Sequence, residues 1–227
     1  MHIVVAGSTG ATGHLVLGNL IEHNTNNTIT LINRRLQHIS KTANENPPAI
    51  TQLCQPFKYL HQLELNSSID VAICCLGTTI KKAGGKKEFA EVDLKAVVTF
   101  AEFAKTHGCK RFIVMSSVGA NADSRQFYLK IKGLMENEIT SMGFNETYIL
   151  RPSLLLGHRN ENRLGERVAQ RLSPVFSFLL VGPANRYRPI KMTKVANAIC
   201  ELALKPISNN KQKPIILDNK YIEFLGK

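Results

Sequence analysis

Tyr128 and Lys132 stand four residues apart, so the two side chains share a face if the stretch that carries them is helical. A phenol ionises near pH 10 in water, and a neighbouring cation is what lets it exchange a proton near neutrality. The spacing by itself is weak, because lysine is abundant in this chain and chance supplies such pairs; Tyr187 and Lys191 form a second one. Pro189 lies inside that second pair and disfavours a helix there. Around the first pair, Gln126 to Met142 places Phe127, Ile131, Met135, Ile139 and Met142 on one stripe and closes on Gly143. Only Tyr128 and Lys132 are therefore predicted to sit one turn apart on a helix.

A second pattern lies at the N-terminus. Gly7-Ser8-Thr9-Gly10-Ala11-Thr12-Gly13 follows a short apolar run, His2 to Ala6, and leads into a helical stretch, Gly13 to His23. Thr28 to Asn33, β-branched and apolar, completes a βαβ unit. Glycines at this junction permit the tight turn, let the backbone approach a pyrophosphate and let the helix pack on the strand, while free N–H groups at the helix start receive the anion. No Gly-Lys-Ser/Thr follows, which excludes a P-loop. At the end of the second strand, where a chain that prefers NAD usually carries an acid, stand Asn33-Arg34-Arg35. Two guanidinium groups and no carboxylate suit the 2′-phosphate of NADP(H).

The elements that must hold these residues alternate between strand and helix. A weak strand is expected around Phe57 to Tyr59 after a loop at Asn44 to Pro48, then a doubly buried strand at Asp70 to Leu76. One long helix is expected from Glu88 to His107, with apolar residues at Phe89, Val92, Ala96, Val97, Phe100, Phe103 and Ala104. Strands follow at Arg111 to Ser117 and Thr147 to Leu150. A helix and loop are expected within Arg159 to Gly182, a helix at Lys194 to Lys205 and a last strand at Pro214 to Leu217. The fold class is α/β, a Rossmann-type doubly wound parallel sheet with helices on both faces. One domain is expected over residues 1–227, with substrate-side elements in roughly 153–227.

Composition narrows the setting. The chain has 227 residues, 44% hydrophobic and 20% charged, enough for a sizeable core. The first residues lack the pattern of a signal peptide, and Val175 to Val181, the most apolar later run, is far too short for a bilayer span, so a cytoplasmic protein is expected. Five cysteines form no C-x-x-C pair and none stands at a metal-ligand spacing with a histidine; reduced thiols and no metal are expected. The formal charge of +12 raises nucleic acid as a partner, but the cluster Lys81, Lys82, Lys86 and Lys87 has no interleaved aromatics to stack bases, and a solvated loop is the preferred reading.

The glycine motif, the strand ending in Ser116-Ser117, the Tyr128-x-x-x-Lys132 helix and Arg151-Pro152-Ser153 together resemble the short-chain dehydrogenase/reductase superfamily in its atypical branch. Cys74-Cys75-Leu76-Gly77-Thr78-Thr79, Lys82-Ala83-Gly84, Val92-Asp93, Tyr128-Leu129-Lys130-Ile131-Lys132-Gly133 and Leu217-Asp218-Asn219-Lys220 look like the Tat-interactive-protein oxidoreductase group and its bacterial relatives. The resemblance implies Tyr128 as proton donor and acceptor, Lys132 as its activator and the holder of the cofactor ribose, and Ser117 as the hydroxyl that polarises the substrate oxygen. Ser116 is the alternative, since neighbours on a strand point to opposite faces. It also implies that Gly77 and Thr78 lie under the cofactor and that Pro152 and Ser153 lie beside the nicotinamide carboxamide.

Two functions follow as expectations: an NADP(H)-dependent oxidoreductase of a small carbonyl or alcohol substrate, and an NADPH-binding regulator that senses the dinucleotide and binds a protein partner without turnover. Specific nucleic-acid binding is a third and weaker reading. The chain is expected as a monomer or homodimer. Arg159, Arg163, Arg167 and Arg171 recur every four residues, as a solvated helix face or as a face toward an acidic substrate.

Overall fold

In β1 (His2–Ala6) every residue is buried, and the two-residue period of a strand divides them between two cores. Ile3 and Val5 join one cluster and Val4 and Ala6 the other. A strand covered on both faces is the mark of a parallel sheet whose crossovers are helices.

The computed structural model describes residues 1–23, 27–39, 44–157, 187–208 and 210–227. After β1 come α1 (Ala11–His23), β2 (Thr28–Asn33), β3 (Ala49–Cys54), a 3₁₀ turn (Phe57–Gln62) and β4 (Val71–Cys74). Two short helices, α2 (Ile80–Ala83) and α3 (Lys86–Ala90), lead through a π turn (Glu91–Ala96) into α4 (Val97–Thr106). Then follow β5 (Arg111–Met115), α5 (Phe127–Ser141), β6 (Glu146–Leu150), β7 (Leu155–Leu156), β8 (Ile190–Lys191), α6 (Met192–Leu204), β9 (Ile215–Leu217) and α7 (Asn219–Leu225).

The sheet has seven parallel strands in the order β3-β2-β1-β4-β5-β6-β9, the doubly wound arrangement expected from the sequence. Helices α1 and α6 cover one face through Val16, Leu20, Val195, Ile199 and Leu202; α4 and α5 cover the other through Phe100, Ala104, Met135 and Ile139. Strand order reverses between β1 and β4, so the crevice for a ligand opens at their carboxyl ends.

Two features differ from expectation. The strand read around Phe57 is a 3₁₀ turn, and the strand itself lies earlier, at Ala49–Cys54, paired with β2 at the sheet edge. The helix expected from Glu88 to His107 is interrupted by the π turn, which gains a residue per turn and so rotates the apolar stripe; Val92 and Ala96 are only half-buried and Asp93 takes the buried position. The four arginines from Arg159 to Arg171, the helix and loop expected there and the Val175–Val181 run lie outside the described residues.

A buried ion pair closes the C-terminal half. Arg111, fully buried, donates through Nε to Glu146 Oε2. Its Nη atoms donate to the carbonyls of Leu202 (2.8 Å), Lys205 (2.7 Å) and Pro206 (2.7 Å), which supplies the end of α6 with the donors its last turn lacks. Burial would push the Glu146 carboxyl up, but the Arg111 guanidinium and the Ser208 N–H at 2.6 Å hold it below the ordinary glutamate range.

Candidate active site

The glycine loop turns directly from β1 into α1. Gly7 has φ +84°, and a Cβ there would stand 2.7 Å from the Cys75 carbonyl carbon. At Gly13 a Cβ would stand 2.2 Å from Gly7 O. The loop is thus packed to backbone contact against both the start of α1 and the end of β4, leaving a side-chain-free cradle at the crevice. Gly10 N–H donates to Gly7 O (3.0 Å), and the first helical bond of α1 runs from His14 N–H to Gly10 O (2.8 Å). The N–H groups of the first turn of α1 lack helical partners of their own, and no acidic residue stands in that turn to compete with an anion. The residues present fit a dinucleotide.

Within the loop, Thr9 and Gly10 are exposed, Ala11 is half-buried, and Ser8 and Thr12 are buried. The Ser8 hydroxyl lies 2.7 Å from Gln37 Oε1 and 3.0 Å from Asn33 Oδ1, so its side chain ties the loop to the end of β2 rather than opening into the crevice. Arg34 and Arg35 are exposed just beyond that tie, on the carboxyl edge of β2.

On the other side of the switch point, α5 carries Tyr128 and Lys132 one turn apart. The Tyr128 ring is half-buried against Phe89, with centroids 5.4 Å apart. Lys132 is buried, and its Nζ lies 2.8 Å from Oδ1 of the equally buried Asp93. Asp93 Oδ2 accepts the Thr78 N–H at 2.8 Å, and Gly77 lies directly over the pair. Burial alone would pull the Lys132 pKa down; Asp93, with the Tyr128 oxygen adding to it, more than offsets this and holds the ammonium above the ordinary lysine value. Gly77, Thr78, Tyr128 and Lys132 thus meet at the carboxyl end of β4. The second Tyr-x-x-x-Lys pair ends on the extended residues of β8 and has no such geometry.

The two serines have different surroundings. Ser116 is buried and its hydroxyl donates to Glu136 Oε1. Glu136, one turn beyond Lys132, also accepts Arg151 Nε (2.9 Å) and Arg151 Nη2, so one carboxylate fastens α5 to the ends of β5 and β6. The Ser117 hydroxyl is half-exposed and makes only a long contact with its neighbour, Val118 O, at 3.4 Å. Val118 N–H donates to Pro152 O (3.0 Å), and Ser153 N–H donates to Asn219 Oδ1 (2.9 Å) at the start of α7. Glu136 is the site-forming residue that the reading of the sequence did not single out, while Asp93 and Asn219 stood in the motifs of the resemblance without an assigned role. The signal for Asp93 was present: an acid on an otherwise apolar stripe.

Cys74 is fully buried and its thiol is pushed up to about 12 by desolvation; burial pushes the Cys75 thiol up as well. Neither supplies a thiolate to the crevice.

A family described as NAD(P)H-binding matches residues 7–203. The chain belongs to that family. Within it, the chain is an atypical short-chain dehydrogenase/reductase resembling the protein HTATIP2 of Rattus norvegicus, with which it shares 33% identity over 226 residues, 99% of this chain and 89% of the relative. A mitochondrial FMP52 protein of Candida albicans is 28% identical over 218 residues, 96% of this chain and 94% of the relative. Among solved structures, a putative NAD-dependent epimerase/dehydratase from Bacillus halodurans superposes with TM-score 0.63 at 20% identity, covering 100% of this chain and 98% of that one. The human epimerase family protein SDR39U1 with NADPH superposes with TM-score 0.62 at 16% identity, covering 99% and 77%. These structural likenesses establish the Rossmann-type fold of an NAD(P)H-binding family member. Among the described residues no helix is long and apolar enough to cross a membrane.

Proposed function

We propose that the protein is an NADPH-dependent reductase of a small carbonyl compound, working in the cytoplasm. One observation carries this reading: the Lys132 ammonium is held charged and buried by Asp93, one turn from Tyr128 and beneath Gly77, at the switch point of the sheet. The pair with Asp93 offsets the cost of burying the cation, and a perturbed, buried ammonium beside a phenol in a crevice is the arrangement that serves acid-base chemistry or ligand binding. Tyr128 hands its proton to the substrate oxygen, Lys132 eases that transfer and binds the cofactor ribose, and Ser117 polarises the same oxygen. Ser116 is committed to Glu136 and has a fastening role. The nicotinamide, when bound, supplies the hydride. Arg34 and Arg35 grip the 2′-phosphate, in keeping with the NADPH bound to the SDR39U1 neighbour. The free thiols among the described cysteines suit a reducing compartment, although the FMP52 relatives are named as mitochondrial.

The test is a calorimetric titration with NADPH and with NADH, run beside an Arg34→Ala, Arg35→Ala double variant. NADPH is expected to bind the wild type well ahead of NADH. The double variant should lose about 10- to 100-fold in NADPH affinity, the worth of charge-assisted bonds to a phosphate, with NADH unchanged. If neither nucleotide binds, the reductase reading falls. Binding without turnover of any carbonyl substrate would favour a dinucleotide-sensing regulator.

A further inference from the structure

Among the described residues, two buried side-chain polar atoms have no hydrogen-bond partner: Asp93 Oδ1 and Arg188 Nε. The first faces Lys132 Nζ at 2.8 Å and is accounted for. The second has no counterpart. A guanidinium nitrogen taken out of water without an acceptor is costly, so an unmet donor of this kind calls for an absent acceptor.

Its place in the fold says which acceptor. The Arg188 carbonyl accepts hydrogen bonds from Ser153 Oγ and Asn219 Nδ2; Asn219 Nδ2 also donates to Ser153 Oγ (2.7 Å), and Asn219 Oδ1 receives the Ser153 N–H (2.9 Å). This closed knot, centred on buried Asn219, clamps the Arg188 backbone beside Ser153. Pro152, the preceding residue, is bonded in turn to Val118, next to Ser117. Arg188 is thus tied by hydrogen bonds, through Ser153 and then Pro152 and Val118, to the stretch that carries Ser117 beyond the carboxyl end of β5.

Lys86 rests over the Phe127 ring at 5.4 Å, next to Tyr128 in the chain, and Lys191, three residues after Arg188, is exposed. We propose that Arg188 is the anion-binding residue of the substrate site, and that the substrate is a carbonyl compound bearing a carboxylate a few bonds from the carbonyl carbon. The proposal rests on the reductase reading. Planar guanidinium matches planar carboxylate, which makes arginine the specificity element.

The test uses the protein saturated with NADP+ and two calorimetric probes that share the phenylglyoxylyl skeleton and differ in charge, phenylglyoxylate and its neutral methyl ester. The acid should bind at least about tenfold more tightly than the ester. Arg188→Gln should erase that advantage, leaving the ester and NADP+ affinities unchanged. Arg188→Lys, which keeps the charge, should restore part of it, and this separates a charge site from a loosened Ser153–Asn219 knot. Equal binding of acid and ester by the wild type, no binding of the acid at all, or an undiminished preference in Arg188→Gln would each overturn the proposal while the cofactor still bound. Failure of NADP+ to bind would instead remove the reductase reading and the proposal with it.

Discussion

Arg111→Met should destabilise the protein by about 3–5 kcal/mol, because it leaves Glu146 charged in a site without water and strips donors from the last turn of α6. For a chain of this size that is a fall in melting temperature of roughly 6–20 °C, read by thermal denaturation. The cost arises mainly from breaking the pair, so Arg111→Met combined with Glu146→Leu should recover part of it. A single variant that melts with the wild type would mean that the guanidinium is not seated on Glu146 and the α6 carbonyls. The same pair makes an acid-side prediction. The Glu146 carboxyl titrates below its unfolded value, so its contribution is complete above about pH 4.3 and is lost as pH falls through the lower folded value. Melting temperatures recorded downward from pH 5 should show a slope that Glu146→Gln lessens.

Tyr128→Phe should reduce turnover by about 10²- to 10⁴-fold, the usual worth of a positioned acid-base group. The phenyl ring keeps its contact with Phe89, and the Lys132–Asp93 pair is untouched, so folding and NADPH affinity should hold within about twofold. Single-turnover oxidation of bound NADPH, with a substrate drawn from a carbonyl screen, measures the first; calorimetry measures the second. Equal rates in wild type and variant would remove Tyr128 from the chemistry. A loss of cofactor binding as large as the loss of rate would make it a ligand of the cofactor instead.

The parts of the molecule that depend on neighbours in sequence were legible. The βαβ unit with its glycine loop and the Tyr128–Lys132 helix each declare themselves within about 30 residues, because a strand, a turn and a helix face are local patterns. The strand at Ala49–Cys54 was missed for a physical reason: at the sheet edge its residues are mostly exposed or half-buried, and Thr51 and Gln52 break any apolar pattern. The π turn is invisible to periodicity, since one extra residue shifts the stripe without changing composition. Charges were hardest of all. Arg111 begins its strand as a solvated residue would, and Glu136 reads as an ordinary polar position on a helix; only tertiary contact reveals that one caps α6 and the other fastens the helix that carries Lys132.

The long reach of Arg111 also bears on how the chain is made. Its carbonyl acceptors are 91 to 95 residues downstream. At about 5–20 residues per second, a ribosome leaves that guanidinium waiting roughly 5–20 s after β5 has emerged. The first five strands can pair during this interval, but the outer side of β5 must stay wet until Glu146 and then α6 arrive. Newly made chains therefore pass through a species with an open sheet edge and a hydrated arginine where the finished protein has a sealed interior, and it is then that a chaperone would find them.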